Sequence, residues 1–332
     1  MRIAFTGITG YLGQLLFERI EREGVADEII GIDVAPSTLP PSRLKYVCRD
    51  VRDPAIEADL RGCDTVVHLA FIVETLHDRA LMYDVNVNGS RNVLAACERL
   101  GTPNVIIASS IAAYGIQHDT LVTENTPCLG DSRSYYAHTK RLMEDAVDLF
   151  ESRNPRSRVA RLRPEIFVGP RCNTWAVDAM GMAGRFDTRS GLSCPIIHED
   201  DVVDAFFKAV MQPVRGAFLI AHRNPLSLES IARLSGLPHR RLPESLALAA
   251  SELMFKLRLT RMNRDWLILM LRNSFRYDPS WTEQTLGWKP QHSAEAAFTA
   301  VLKNHQQLSL RDRLAQGRVD RIEGTRFSLQ PG

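Results

Sequence analysis

The stretch Thr6-Gly7-Ile8-Thr9-Gly10-Tyr11-Leu12-Gly13 decides the fold of this 332-residue chain. An apolar run, Arg2–Thr6, precedes it and an amphipathic run, Leu12–Glu23, follows it. The reading is therefore strand, tight turn, helix. Glycine at 7 permits the sharp turn, glycine at 10 lets backbone approach a phosphate, and glycine at 13 lets the helix pack closely on the strand. The first amides of such a helix make an anion site.

Outward from this turn, apolar strand patterns are expected at Glu28–Ile32, Leu44–Cys48, Thr65–Leu69, Asn104–Ser109 and Val159–Arg163. Helical patterns are expected between them at Ala55–Leu60, Arg79–Leu100 and Tyr136–Ser152. Strands alternating with helices call for a parallel sheet covered on both faces. The expected class is α/β, a Rossmann-like doubly wound parallel sheet. Beyond Arg163 the alternation stops, and residues 164–200 are rich in Gly and Pro. A helix and strand at Asp201–Met211 and Gly216–Ala221 return to the sheet, and residues 224–310 read as mainly helical. This organisation predicts a cofactor-binding domain of residues 1–165, rejoined by about 196–222. A smaller, mainly helical C-terminal substrate domain takes 166–195 and 223–310, and a charged tail takes 311–332.

A hydrophobic fraction of 45%, a charged fraction of 24% and a net charge of +2 are those of an ordinary globular enzyme. Basic residues form no run, so neither nucleic acid nor an acidic membrane surface is an expected partner. Cys48, Cys63, Cys97, Cys128, Cys172 and Cys194 are widely spaced with no Cys-x-x-Cys, the pattern of reduced cytoplasmic thiols. The chain enters its first strand directly from Met1, so no signal peptide is expected. Its apolar runs fall short of the ~18 residues that suggest a membrane span.

The glycine turn, with Thr9, Tyr11 and Leu12 inside it, is expected to hold a dinucleotide pyrophosphate. Asp33 ends the second strand, where a carboxylate accepts adenosine ribose hydroxyls and repels a 2′-phosphate. Residues 34–42 contain no cation to neutralise that phosphate. NAD is therefore expected rather than NADP; a turn-capping Asp33 is the other reading. Asp50 and Val51 follow the third strand, at the adenine edge. Leu69 and Ala70 follow His68 at the end of the fourth, near ribose and phosphates.

Tyr136 and Lys140 stand four apart in a helical segment, on one face. A phenol titrates near ~10 in water, and an ammonium nearby favours its phenolate. The pair is a candidate acid/base for an alcohol or carbonyl.

Together, Thr6 to Gly13, Asp50-Val51, His68-Leu-Ala70, Asn86-Val-Asn-Gly89, Ser109-Ser110 with Tyr114-Gly115, and Tyr136-x-x-x-Lys140 resemble the extended short-chain dehydrogenase/reductase family. That family contains NAD-dependent epimerases and dehydratases. Arg163-Pro164, Val168-Gly169-Pro170, His198-Glu-Asp-Asp-Val202 and Leu286-Gly-Trp-x-Pro290 resemble its later landmarks. The resemblance implies that Tyr136 moves the proton, that Ser110 holds the substrate oxygen and the Tyr136 hydroxyl, and that Lys140 binds the nicotinamide ribose and depresses the Tyr136 pKa. It also implies that Asn86 and Ser109 border the cofactor, Ser109 being the competitor for the serine role. The segment from Pro164 through Ile166 would line the nicotinamide.

The nucleotide-sugar 4,6-dehydratases of this family carry an Asp-Glu pair where Ile111 and Ala112 stand, so dehydration is disfavoured. Phe71-Ile72-Val73, Trp175, Met180 and Met182 are expected to face the substrate. The apolar helical stripes Leu246–Leu259 and Trp266–Phe275 read as core or as the seam of a homodimer, with substrate lining as the other reading. Two activities remain open: nucleotide-sugar epimerase-like chemistry, and reduction or oxidation of a hydrophobic ketone or alcohol. A non-catalytic NAD-binding sensor is the third reading. His198 with its acidic neighbours reads as a helix start, and no metal site is expected.

Overall fold

The computed structural model describes residues 1–40, 43–73, 76–172, 180, 186–188, 191–257 and 263–307. Strands β1 (Arg2–Thr6), β2 (Glu28–Asp33), β3 (Leu44–Cys48), β4 (Thr65–His68), β5 (Asn104–Ala108) and β6 (Arg158–Pro164) join the later strand Gly216–Ile220 in one seven-stranded sheet. The order is β3-β2-β1-β4-β5-β6 and then Gly216–Ile220, with every pairing parallel. The chain thus runs outward from β1 on one side and from β4 on the other. The switch between β1 and β4 opens a crevice at the carboxyl ends of the strands.

Alternating side chains feed two cores. Ile3 and Phe5 of β1 face Leu15, Leu16, Phe17 and Ile20 of helix α1 (Tyr11–Glu23), together with Val202 and Phe206. Ala4 points the other way, into a layer with Ile30, Val66, Val105 and Val159. That second layer is covered by Val93, Leu94 and Cys97 of helix α4 (Ser90–Leu100) and by Met143, Val147 and Phe150 of helix α5 (Tyr135–Arg153). A third core joins Val168, Ile196, Leu228, Ile231, Ile268, Tyr277 and Phe298 behind the strand β7 (Ile166–Val168).

One helix was expected over Arg79–Leu100. The structure divides it into α3 (Arg79–Tyr83), a π-helical turn at Asp84–Gly89 and α4. The wider turn buries Asn86, whose side chain accepts from Ile72 N at 2.6 Å and donates to Ile72 O at 2.9 Å. Hydrogen bonds to a neighbouring loop give the turn a purpose that apolar periodicity does not encode. Residues 311–332, the expected tail, lie outside the described residues. Among the described residues no helix is long and apolar enough to cross a membrane.

Candidate active site

The carboxyl ends of the strands enclose a cavity of about 630 Å³. Gly7, Thr9, Gly10, Tyr11, Leu12 and Gly13 line it after β1, Asp33 after β2, and Asp50 and Val51 after β3. Leu69, Ala70 and Phe71 follow β4, Ser109 and Ser110 follow β5, and Pro164 and Ile166 flank the end of β6. Tyr136 and Lys140 close it from α5. Asn86 is not in this wall and acts on it through Ile72. Trp175 lies outside the described residues, as does Met182.

The glycine turn has room for backbone alone. A Cβ on Gly7, whose φ is +76°, would stand 2.6 Å from Ala70 N. A Cβ on Gly13 would stand 2.4 Å from Gly7 O. Such a cradle fits a pyrophosphate held by amides, and so fits a dinucleotide. Asp33 Oδ2 accepts from Thr9 N at 3.0 Å and Thr9 Oγ1 at 2.7 Å, while Oδ1 accepts from Val34 N at 2.8 Å. The carboxylate therefore caps its own turn and braces the glycine loop while bordering the cavity. The Asp50 carboxylate is neutralised by Arg52 at 2.6 Å. Arg49, overlooked in the sequence, also lines the cavity, but its guanidinium is held by Asp53 and Asp59. The adenosine end thus offers a 2′-phosphate no free cation among the described residues. Tyr11 stacks on Phe167 at 5.2 Å and donates its hydroxyl to Glu199, so it packs the turn against β7.

At the other end, helix α5 begins at Ser134, whose hydroxyl accepts from Ala137 N. Its buried stripe runs Tyr136, Lys140, Met143, Glu144, Val147 and Phe150, the 3–4 spacing of one helical face. Tyr136 and Lys140 are only 7% and 3% exposed. Ser110 stands beside the Tyr136 hydroxyl and favours its ionised form, while Ser110 Oγ accepts from Ala112 N at 3.1 Å. Ser109 instead donates to Glu144. The two adjacent serines thus separate: one stands beside Tyr136, the other is consumed by the scaffold.

Burial pushes the Tyr136 phenol up to about 12, against the opposing effect of Ser110. Burial also brings the Lys140 ammonium down to about 7, with the Glu144 charge opposing. Lys140 Nζ donates to Ala108 O at 2.7 Å and lies 3.5 Å from the centre of the Phe71 ring. It is 5.9 Å from the centre of the Tyr136 ring. Desolvation of the phenol outweighs the contribution of Ser110, so the Tyr136 pKa stands above its ordinary value rather than below it. His68, at the end of β4, bridges Thr6 Oγ1 at 2.7 Å and Ser90 Oγ at 2.8 Å. Burial, aided by the Lys140 charge, lowers it to about 3, so it is a neutral strut.

Apolar periodicity concealed several walls. Trp266, Leu269 and Met270, on the helix Arg264–Arg272, line the cavity together with Phe275 and Leu76, and Met180 lines it as the sequence suggests. Trp266 stacks on Tyr136 with ring centres 5.5 Å apart. That stripe read as core or seam, and five of the helix's residues are indeed buried hydrophobics. Long-range packing also brings His292 onto His198, with rings stacked at 4.0 Å. His198, Asp200 and His292 present ligand atoms within 4.8 Å of one another. Stacked imidazoles, however, aim their in-plane lone pairs side by side rather than at a common point.

The NAD dependent epimerase/dehydratase family profile matches residues 3–221. The chain is 34% identical over 174 residues to N-acetyl-alpha-D-glucosaminyl-diphospho-ditrans,octacis-undecaprenol 4-epimerase of Escherichia coli O157:H7, covering 51% of this chain and 50% of that one. It is 31% identical over 217 residues to D-erythronate dehydrogenase of Cupriavidus necator, covering 60% and 66%. The chain therefore spans half the length of the first of these relatives and just under two thirds of the second. In structure it is similar to UDP-glucose 4-epimerase from Thermotoga maritima, with a TM-score of 0.72 at 18% identity over 92% of this chain and 99% of that one. UDP-glucuronic acid 4-epimerase from Bacillus cereus, solved with NAD, gives 0.70 at 18% identity over 92% and 99%. These two likenesses share the fold. The chain belongs to the NAD-dependent epimerase/dehydratase family.

Proposed function

We propose that the protein is an NAD-dependent enzyme that transfers hydride at a secondary alcohol or ketone carbon, as an epimerase of a glycosyl diphosphate does. One observation carries this reading. A phenol beside Ser110 stands one helical turn from Lys140, in the same cavity as the glycine cradle and Asp33. The family match supports NAD, which when bound supplies a nicotinamide that accepts and returns hydride. The chain's own groups handle the proton and the position. Tyr136 exchanges a proton with the substrate oxygen, and Ser110 holds that oxygen and the phenol together. When charged, Lys140 favours the phenolate. Ile111 and Ala112 line the cavity and offer neither acid nor base, which speaks against 4,6-dehydration.

A second reading, reduction or oxidation of a hydrophobic ketone or alcohol, is favoured by the apolar wall beyond Tyr136. Phe71, Ile72, Met180, Leu269, Met270 and Phe275 form it. Turnover separates the two. Epimers are isomers, so epimerisation leaves the absorbance of reduced nicotinamide flat over many turnovers, whereas net redox changes it stoichiometrically. A thermal-shift screen with NAD, NADP, nucleotide sugars and hydrophobic ketones identifies the ligands, since whatever binds the folded state raises its apparent stability. Tyr136→Phe should abolish turnover and keep NAD binding. A fully active Tyr136→Phe enzyme would sink the acid/base assignment.

The same reading makes residues 1–165, with about 196–222, the cofactor-binding unit, and 166–195 with 223–310 the substrate-binding unit. Free thiols at all six cysteines support a cytoplasmic setting. Exposed Leu246 and Leu253 on the helix Glu244–Lys256 support a homodimer, which size-exclusion chromatography would reject by a monomeric elution volume.

A further inference from the structure

Two helices remote in sequence start at the same place. Asp265 Oδ2 accepts from Tyr135 N at 3.4 Å and pairs with Arg79 at 3.0 Å. The Tyr135 hydroxyl donates to Arg79 O at 2.9 Å, and the Arg79 guanidinium lies 5.2 Å from the centre of the Tyr135 ring. Asn263 Oδ1 accepts from Trp266 N at 3.1 Å and caps the helix Arg264–Arg272. The two helices therefore dock in step: Asp265 on the Tyr135 amide, and Trp266 on the Tyr136 ring. The stack has a centroid distance of 5.5 Å and an interplanar angle of 18°.

The other side of the phenol is closed by Phe71, edge-on at 5.9 Å and 88°. Phe71 is in turn held by its neighbour Ile72, which the buried Asn86 grips at both N–H and C=O. Three segments far apart in sequence thus build an aromatic box around one hydroxyl-bearing ring. Aromatic rings at these offsets attract one another, and they also exclude water from what they cover.

We propose that Trp266 is a positioning residue for Tyr136: its indole holds the phenol beside Ser110 and keeps water off it. This inference rests on the reading of Tyr136 as the proton-transfer group. It explains why an acid/base side chain is covered by a residue from the C-terminal region, and it makes the docking of that region a condition for proton transfer. The charged and titratable groups around Tyr136 are Lys140 and Glu144 on its own helix, His68 at the end of β4, Arg79 on α3 and Asp265 beside Trp266. His68 is neutral, and Arg79 and Asp265 neutralise each other. Glu144 is paired with Arg163, and Lys140 is held by Ala108 O and Phe71 and not by Trp266, so Trp266 acts on the phenol through water exclusion.

The test needs no substrate. The phenolate absorbance of Tyr136 is isolated by subtracting the alkaline titration of a Tyr136→Phe background from that of the same protein with Tyr136 present. In Trp266→Ala the Tyr136 midpoint should fall by about one pH unit toward the ordinary phenol value, because burial is the leading cause of its elevation. In Trp266→Phe, which keeps a ring in place, the midpoint should stay with wild type. If Trp266→Ala does not fold, Trp266→Val, which removes the ring but keeps part of the bulk, decides in the same way. An unchanged midpoint in the folded small-residue variant overturns the proposal, as does a Trp266→Phe midpoint as low as that of Trp266→Ala. Because the readout is a titration, it stands apart from the turnover test of Tyr136→Phe, and either can fail alone.

Discussion

Arg163 grips Glu144 with two parallel hydrogen bonds, Nε to Oε1 at 2.9 Å and Nη2 to Oε2 at 2.9 Å, and both side chains are buried. Glu144 lies one turn beyond Lys140 and also accepts the Ser109 hydroxyl. Arg163 immediately precedes Pro164 at the end of β6 and reaches Tyr114 and the carbonyl of Glu124 at 3.0 Å each. The pair thus joins α5 to the ends of β5 and β6, which all border the cavity. Removing one partner leaves a buried charge uncompensated, which costs ~3–5 kcal/mol. Glu144→Ala should therefore be destabilised by that order in urea denaturation.

The same pair sets part of the acid limit. Burial alone would raise Glu144, but the Arg163 hydrogen bonds and charge, with help from Ser109 and Arg161, bring it from 4.5 down to about 2. A depressed carboxylate contributes stability that is present above the unfolded value and lost as pH falls. His68 acts in the same direction: buried and neutral, it must take up a proton on unfolding between 6.5 and about 3. Stability should fall from about pH 6.5 downward and fall further below 4.5. His68→Leu should remove the upper part of that slope and Glu144→Gln the lower, as read from urea midpoints across the range.

Lys140 shapes the alkaline side. Its pKa is 10.5 in the unfolded chain and about 7 when buried. Between those values the unfolded chain holds a proton that the folded one lacks, so stability rises with pH. Below about 7 both states are charged and the full burial cost stands. Lys140→Met should flatten the rise between pH 7 and 10.5. A variant with the wild-type slope would place the titration elsewhere.

Gly13 has no space for a methyl group, since a Cβ would meet Gly7 O at 2.4 Å and Ile8 O at 2.6 Å. Backbone atoms yield only by moving the turn. Gly13→Ala should lose ~1–3 kcal/mol of stability, and its NAD affinity should drop when measured by calorimetric titration. Unchanged NAD binding would show that the close approach is not needed for the pyrophosphate.

Asp33 has two duties, bracing Thr9 and discriminating between cofactors. Asp33→Ser gives up charge-assisted hydrogen bonds and the repulsion of a 2′-phosphate. NAD affinity should fall roughly tenfold, while the preference for NAD over NADP narrows. A wild-type ratio of the two affinities would shift discrimination to other residues.

Much of the architecture is written locally. Strands β1 and β3 run Arg2–Thr6 and Leu44–Cys48, as the apolar runs predict: β1 is buried on both faces in the middle of the parallel sheet, while β3 is only partly buried at its edge. The glycine spacing of the first turn and the 3–4 stripe of α5 are likewise local, so the cradle and the Tyr136–Lys140 face can be read from a few residues each. What escaped was decided by partners far along the chain. The π-helical turn serves Ile72, the Ser109 hydroxyl goes to Glu144, and Trp266 stacks on Tyr136.

The sequence by itself determined the doubly wound sheet, the cofactor cradle and the positions of a phenol, an amine and two serines. Backbone conformation and side-chain periodicity depend on near neighbours, and those are legible in a line of residues. Only the tertiary structure decided that the Ser109 hydroxyl goes to Glu144, that Asp33 braces Thr9, and that an indole from the last third of the chain covers the phenol. It also set the Tyr136 pKa above its ordinary value and the Lys140 pKa below its own. Proton affinity depends on how much water the fold removes from a group, and that is settled only when Phe71, Ser110 and Trp266 meet around one ring.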